Sequence, residues 1–369
     1  MKIFQKIIIW TLSVVNIDAV LAMCVCAYSY YINPAHYPNW SYLGMMLPIC
    51  MAAVVVFIPL WLIVKWKYCA ISILGMVICW GSIRDYCPIN LTGGEPEGRS
   101  IKVLSYNVYS FGGKELSEDN MQVADYITAS GADIVCIQEV GGIGRTYVRE
   151  QLDAEYPYIS IDDDKEPKNA ILSRYPILSS QKIELESKSA SSCIYEILIE
   201  GDTIAVINNH LESYHLDSDD KEIYTQMIKQ SNPLKGKPTD EEEETVIDMK
   251  ESFWWLEGKL AKANALRAGQ ADRIEEEVER LLERHKYVMV CGDFNDSPIS
   301  YVHHKLTNQL HDAYTQSGNG PGWSYNRNAM YFRIDHILVS KSMESYAAKV
   351  DKSIKESDHY PIFCTLELH

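Results

Sequence analysis

The sequence predicts an α/β domain carried behind a membrane anchor of three helices. Three observations predict it. Residues 1–90 of the 369 are dominated by apolar and aromatic side chains, gathered in three stretches. Residues 91–369 hold nearly all the charge. In that second part, short strand-like apolar runs alternate with helical patterns, as layered α/β domains require.

The anchor, residues 1–86, comes first. Its stretches are 7–31, 43–64 and 66–83. A spanning helix needs roughly 20 mostly apolar residues, so the first two suffice and the third lies near the lower limit. The first stretch is too long for a cleaved signal peptide, lacks a clear small-residue cleavage site, and is followed by two more. Tyr28, Tyr30, Tyr31, Trp40 and Tyr42 flank one level, and Trp61, Trp66 and Tyr68 the other, where interfacial aromatics belong. Pro48 and Pro59 are tolerable in a membrane helix. Asp18 is the one acid in a spanning stretch, a functional candidate or a residue with a structural partner.

Basic residues set the orientation. Lys2 and Lys6 precede the first stretch, Lys65 and Lys67 lie in the turn after the second, and residues 32–42 hold no Lys or Arg. The positive-inside rule then places the N-terminus in the cytoplasm. Three crossings deliver residues 84–369 to the extracytoplasmic side, as in a multi-pass protein of the bacterial inner, cytoplasmic membrane. The lipid bilayer is the partner expected of residues 1–86, and no protein partner is expected.

The chain's formal net charge is −16. Residues 1–90 contribute +3, from Lys2, Lys6, Lys65, Lys67 and Arg84 against Asp18 and Asp85, which leaves −19 on residues 91–369. So acidic a surface repels polyanions and argues against tight nonspecific nucleic-acid binding, short of a local basic groove. The ten cysteines show no metal-site spacing. Cys136, Cys193, Cys291 and Cys364 sit in apolar runs and read as small buried hydrophobes.

Residues 87–100, rich in Gly, Pro and Glu, read as a linker. Strand-like runs follow at 101–105, 134–137, 170–172, 192–199, 203–208, 287–291, 334–339 and 362–368. Helical spacing covers 120–130 and 253–284, the latter through Phe253, Leu256, Leu260, Ala263, Ala271, Ile274, Val278 and Leu281. An insertion is expected over 213–285: a mobile, polar surface segment at 213–250 with the acidic run Asp240–Glu244, then a long helix. On that helix Lys262, Arg267, Gln270 and Arg273 read as a solvated face, with reach toward a substrate as the second reading. The stretch Asn308–Trp323, with Gly318, Gly320 and Gly322, reads as a flexible loop, and Trp323 and Tyr325 as packing or stacking residues.

The chemistry gathers at strand ends. The apolar run ending at Cys291 leads into Gly292, Asp293, Phe294 and Asn295. Residues i and i+2 of a strand face one side, so Asp293 and Asn295 point together. Asn107, Glu139 and His210 end other apolar runs, Asp335 lies within one, and Asp358 and His359 precede the last. A single such residue is commonly a local cap. Six strand ends bearing such residues together call for a site. Carboxylates such as Glu139 and Asp358 are hard ligands for Mg²⁺ or Ca²⁺. Asp293 can take a proton from water, an Asp335–His359 pair can orient and charge an imidazole, and Asn107 and Asn295 can hold phosphate oxygens. No Ser or Cys presents itself with a base as a nucleophile.

These residues resemble the endonuclease/exonuclease/phosphatase superfamily. The matching segments are Ser105–Asn107, Gln138–Glu139, Ser173–Ile177, Asn208–Leu211, Gly292–Asn295, Arg333–Ile337 and Ser357–Pro361, in the family's order over residues 101–369. The resemblance implies a four-layer α/β sandwich, two packed sheets flanked by helices, with the site at one edge. It implies a Mg²⁺-dependent phosphoesterase, with Mn²⁺ or Ca²⁺ as alternatives. Glu139 would be the main metal ligand, helped by Asn107, with Asp358 near a second metal. Asp293 would activate water, Asn295 would hold the water or the phosphate, and His359 with Asp335 would contact the phosphate. His210 would be a second phosphate contact or proton donor, and Arg174 a further phosphate contact or a surface salt bridge.

Three functions compete at this stage. One is hydrolysis of a phosphodiester or phosphomonoester on a small molecule or lipid headgroup. The second is an exported DNA or RNA nuclease. The third is a catalytically silent binding module, against which the intact set Glu139, Asp293, Asn295 and His359 argues.

Overall fold

The computed structural model describes residues 2–91, 93–112, 118–162, 169–187, 189–215, 220, 223, 249–327 and 331–369. The anchor holds α1 (Lys2–Ala27), α2 (Leu47–Val64), α3 (Cys69–Ile78) and α4 (Trp80–Tyr86). Small and weakly polar side chains join them, as in membrane bundles generally. Cys26 Sγ lies 3.8 Å from Cys50 Sγ, Cys79 Sγ 3.5 Å from Cys24 Sγ, and Ser72 donates to Asn16 Oδ1 at 3.1 Å. A Cβ at Gly75 would stand 2.6 Å from Val20, so the α1–α3 crossing needs glycine there. Asp18 is exposed on the outer face of α1.

Among the described residues two helices are long and apolar enough to cross a membrane, Ile3–Tyr31 and Pro38–Val64. The third stretch differs from expectation. It is bent by 66° between Ile78 and Trp80, so 66–83 is not one straight span. Contacts at the bend explain the turn: Ser82 Oγ donates to the Ala27 carbonyl at 2.7 Å, and the Asp85 carbonyl accepts from Arg333. α4 is thereby drawn aside onto the following domain.

That domain is built on two six-stranded sheets, an α/β fold with helices on the outer faces. The first sheet contains β1 (Ser100–Asn107), β2 (Ile134–Gln138), β3 (Tyr158–Ile161), β4 (Ala170–Ser173), β11 (Met343–Val350) and β12 (Ile362–Leu368), in the order β11-β12-β1-β2-β4-β3. The second contains β5 (Ile177–Lys182), β6 (Ser191–Ile199), β7 (Asp202–His210), β8 (Tyr287–Asp293), β9 (His311–Asp312) and β10 (Asp335–Val339), in the order β5-β6-β7-β8-β10-β9. Val103, Ile134, Ile171, Tyr195, Val206, Met289 and Ile337 meet between the sheets. Alternate residues of the same strands face outward, which is the period-two pattern of a sheet covered on both faces.

Outside the first sheet lie α5 (Glu118–Ser130) and α6 (Gly141–Gln151), packed through Val123, Ile127 and Val148. Outside the second lie α7 (Met249–Leu282) and α8 (Tyr301–Thr307), packed through Ala271, Ile274, Val278, Val302 and Leu306. The four layers match the sequence expectation. α7 has 34 residues and is therefore about 51 Å long at 1.5 Å per residue. Its first half leaves the sheet and meets the Pro38–Met46 segment between α1 and α2, where Asn264 donates to Ser41 Oγ at 2.6 Å and Tyr42 to Glu257 at 3.2 Å.

Most of the expected mobile segment 213–250, including the acidic run Asp240–Glu244, lies outside the described residues. The expected flexible loop Asn308–Trp323 is instead ordered. Asp312 caps α9 (Ala313–Ser317), accepting from the Tyr314 and Thr315 N–H groups, and Tyr314 Oη donates to the Asn319 carbonyl at 2.7 Å. A Cβ at Gly322 would meet the Tyr314 ring at 2.4 Å and one at Gly318 the Tyr314 carbonyl oxygen at 2.7 Å, so these two glycines serve close packing, while Gly320 takes a φ of +76° with open space beside it.

Candidate active site

The two parallel strand pairs, β1–β2 and β7–β8, lie inside their sheets and end at the same edge of the sandwich. Register sets what meets there. Asn107 stands opposite Gln138, and Asp293 stands opposite both His210 and Asp335. Gly292 makes the β7–β8 approach: its φ is +127°, and a Cβ would lie 2.0 Å from the Asn209 carbonyl oxygen. Glu139 follows β2 with φ +54°, and Asn295 follows β8 with φ +52°. Left-handed backbone is tolerable for Asn but strained for Glu, and such strain concentrates at functional sites.

The side chains converge. Asn107 Nδ2 donates to Glu139 Oε1 and Asp293 Oδ2, both at 3.0 Å. His210 Nε2 lies 3.1 Å from Glu139 Oε1 and 3.7 Å from Asp293 Oδ2. His359 Nε2 reaches the same Asp293 oxygen at 3.6 Å, while its Nδ1 is held by Asp335 Oδ2 at 2.8 Å. The Asn295 N–H fixes the other Asp293 oxygen at 2.8 Å, and Asn295 Nδ2 binds the Leu211 carbonyl at 3.0 Å. Asp293 is 1 % exposed, whereas the Glu139 side chain keeps 28 % of its surface open. The site is thus a buried carboxylate between two imidazoles, with a second carboxylate at the mouth.

Electrostatics separate the two acids. Burial pushes Glu139 up, but the His210 hydrogen bond and charge and the Asn107 N–H more than offset it, and Glu139 comes down to about 2. Asp293 is raised to about 6, chiefly by burial, with Asp335 adding and His359 and His210 opposing. Burial disfavours charge on His210, yet Glu139 and Asp293 leave it raised. His359 is raised well above its ordinary value, because Asp335 and Asp293 outweigh its burial. Two acids of ordinarily similar strength are pushed apart, the pattern expected where one must stay charged and the other exchange a proton near neutrality.

The donor set suits a hard divalent cation. Asn107 and His210 share Glu139 Oε1, and Oε2 takes no partner among the described residues. Glu139, His210 and Asp293 offer ligand atoms within 4.8 Å of one another, as do Asp293, Asp335 and His359. Oxygen donors suit a hard cation, so the carboxylates are the better ligands of these groups. Asn107 turns its amide nitrogen to the carboxylates and its oxygen to the Tyr109 N–H, 3.1 Å away. In this arrangement it cross-links Glu139 and Asp293. Asp358 stands apart from both groups, although its Oδ1 is buried without a partner and its charge reaches His359.

Arg174 does not join the site. It follows β4, which runs antiparallel to β2, and so emerges beside Ile134 at the strand end opposite Glu139. There it pairs with Glu155 and with Asp133 at 3.5 Å. The phosphate role expected for Arg174 is therefore corrected to a salt bridge beside the sheet. Arg267 and Gln270 are buried rather than solvated, 0 % and 2 % exposed. Arg267 donates to the Glu212 carbonyl at 2.6 Å, faces Asp296 at 3.5 Å and lies over the Tyr214 ring at 4.2 Å. Gln270 accepts from the Glu212 N–H at 2.9 Å. Together they clamp the segment that follows His210. Of the same four residues, Lys262 is exposed and Arg273 pairs with Glu276 and Glu277.

Sequence reasoning missed a carboxamide ladder behind the site. Asn208 Nδ2 donates to the Ile137 and Ala170 carbonyls, Gln138 Nε2 donates to Asn208 Oδ1 at 2.7 Å, and Asn169 Nδ2 bonds the Ser191 and Asn208 carbonyls. These bonds tie the two sheets together at the edge that carries the candidate site. The available signal was Asn208 itself, two residues before His210 on the same strand face. Ser357 was a second omission: it donates to the Asn107 carbonyl at 2.7 Å and accepts from the His359 N–H at 3.2 Å.

Comparison with known proteins decides the family. The model of the endonuclease/exonuclease/phosphatase family matches residues 104–359. The chain belongs to this family. Family members are hydrolytic phosphoesterases and generally depend on a divalent metal. A second model, for a domain of unknown function, matches residues 5–86. No curated protein matches the sequence. Solved structures match the fold at low identity. TDP2 from Caenorhabditis elegans is 16 % identical with a TM-score of 0.51, over 82 % of this chain and 86 % of that one. An endonuclease/exonuclease/phosphatase from Beutenbergia cavernae is 17 % identical with a TM-score of 0.50, over 73 % of this chain and 72 % of that one.

Proposed function

We propose that the chain is a Mg²⁺-dependent hydrolase of a phosphodiester or phosphomonoester, acting on a small molecule or lipid headgroup near the membrane that anchors it. The observation that carries this is the Asp293 carboxylate, raised to about 6 and placed 3.6–3.7 Å from two imidazoles beside the open carboxylate of Glu139. A base poised near neutrality accepts a proton from water efficiently. Asp293 takes that proton as the water oxygen attacks phosphorus, with Asn295 holding the carboxylate in line. Protonated His359, fixed by Asp335, donates to a phosphoryl oxygen, and His210 donates to a second oxygen or to the leaving group. Glu139 would hold the cation, which supplies polarisation of the phosphoryl group and stabilises the leaving oxygen. Mn²⁺ and Ca²⁺ suit the same donors.

The membrane favours the lipid-proximal reading over a nuclease. Ile299 is buried among anchor residues, six positions after Asp293. Six residues reach at most ~20 Å, so Asp293 lies within that distance of the bundle. A headgroup lies in that zone, whereas a duplex would have to enter between an acidic domain and the bilayer. Sidedness follows from charge. The catalytic domain packs on the 28–46 end of the bundle, while Lys65 and Lys67 occupy the turn at the other. By the positive-inside rule the domain is extracytoplasmic.

The test is hydrolysis by the full chain in nanodiscs, with and without Mg²⁺, on phospholipid vesicles, soluble sugar and inositol phosphates, plasmid DNA and RNA. Preference for lipid or small phosphoesters supports this reading. Preference for nucleic acid makes the chain a nuclease. A folded, Mg²⁺-binding chain without turnover on this panel returns weight to a binding module.

A further inference from the structure

We propose that the membrane anchor is a working part of the active site, with Ile299 and Gly44 as positioning residues that fix the catalytic turn Asp293–Asn295. The inference rests on the phosphoesterase reading above and adds to it where the catalytic geometry is set.

Ile299 belongs to the catalytic domain by sequence but not by packing. It is 1 % exposed and lies among Met23, Ala27, Leu47, Cys79 and Ile83 of the anchor. Gly44, in the segment between α1 and α2, makes the seat. A Cβ there would stand 1.9 Å from the Ile299 carbonyl oxygen, a contact with backbone that no rotamer can relieve. The next residues are held from the same side. Asn33 donates to Tyr301 Oη at 3.2 Å, and the His304 ring lies 4.3 Å from Tyr30 and 5.0 Å from Tyr31.

A short series of bonds runs back from this seat to the base. The Ile299 N–H donates to Ser297 Oγ at 3.3 Å, the Ser297 N–H to Asp296 Oδ1 at 2.9 Å, and the Asn295 N–H to Asp293 Oδ1 at 2.8 Å. A second contact serves the imidazole side. Arg333, two residues before Asp335, donates to the Asp85 carbonyl of α4 and lies over the Tyr314 ring at 4.4 Å. The chain on either side of the site, six residues after Asp293 and two before Asp335, is thus fastened to the anchor. Catalytic groups held by packed neighbours keep productive geometry, and displacement by about 1 Å costs on the order of 10²-fold in rate.

The experiment uses the full chain in nanodiscs with saturating Mg²⁺ and bis(p-nitrophenyl) phosphate as the probe substrate. Gly44→Ala and Ile299→Ser are compared with Ile299→Val and with Ile63→Val, a change on an 85 % exposed face of α2. Backbone amide exchange is read on the same samples. Gly44→Ala and Ile299→Ser are expected to lower kcat at least tenfold, with KM within twofold, and to speed exchange at 295–299 while β1 and β2 stay protected. Ile299→Val is expected to retain kcat within twofold, as is Ile63→Val. Unchanged kcat and unchanged exchange in both disruptive variants overturn the proposal. If the wild-type chain hydrolyses no phosphoester, the functional reading fails instead, and exchange at 295–299 alone decides whether the anchor positions the turn. Should Gly44→Ala lose protection throughout β1 and β2, the Ile299→Ser and Ile299→Val pair decides.

Discussion

Arg267→Met should destabilise the catalytic domain severely, and by an amount that depends on pH. Arg267 is fully buried and is the cation facing Asp296 at 3.5 Å, one residue past Asn295. Methionine preserves much of the volume but leaves the Asp296 carboxylate buried without its guanidinium partner. Breaking a buried pair in this way costs roughly 3–5 kcal/mol. For a domain of this size each kcal/mol lowers Tm by about 2–4 °C, so the fall should be about 6–20 °C. Burial already raises Asp296, with Arg267 opposing the rise, and the substitution raises it further. A carboxyl with a raised folded-state pKa gives its full stability below the unfolded value and loses it as pH rises through the folded value. The penalty should therefore be smaller at pH 5 than at pH 8. Thermal unfolding followed by tryptophan fluorescence in detergent micelles measures both, with Lys262→Met, an exposed site on the same helix, as control. A fall below 2 °C at pH 8, or the same fall at both pH values, refutes the reasoning.

Three further outcomes follow from the same geometry. Asp335→Asn removes the carboxylate that holds and charges His359, so kcat should fall by roughly 10²-fold and the alkaline limb of the rate profile should move to lower pH; an unchanged profile contradicts the assigned pairing. Because Asp293 must be ionised to accept a proton and is raised to about 6, kcat/KM should rise with pH through that value and level off above it; a profile flat from pH 5 to 7 excludes Asp293 as the base. Arg174→Ala, at the far end of β2, should leave kcat/KM within twofold, and a tenfold loss would restore Arg174 to the site.

The layers were legible because a sheet buried on both faces writes continuous apolar runs, and β2, β7 and β8 do. Strands that are short or exposed wrote no such run: Ile177–Lys182 is mostly solvent-facing, and Met343–Val350 alternates. The convergence of Asn107, Glu139, His210, Asp293, Asp335 and His359 was legible from shared position at strand ends. Arg174 misled because it too follows a strand, but sequence does not reveal that β4 runs antiparallel to β2. Arg267 and Gln270 misled for a different reason. Charge pattern assigns a helical Arg to solvent, whereas the Glu212 backbone, the Tyr214 ring and the Asp296 carboxylate folding back over α7 bury it. The seating of Ile299 in the bundle was hidden as well, since one isoleucine after Pro298 carries no sign of which core it joins.

The measurement that tests the central claim most directly is Mg²⁺-dependent release of p-nitrophenol from bis(p-nitrophenyl) phosphate by the full chain in nanodiscs, beside Glu139→Ala and Asp293→Ala. The account predicts turnover that EDTA abolishes, that Mg²⁺ restores, and that each substitution reduces by at least 10²-fold while the chain stays folded. Turnover that survives both substitutions, or that ignores the metal, would contradict it.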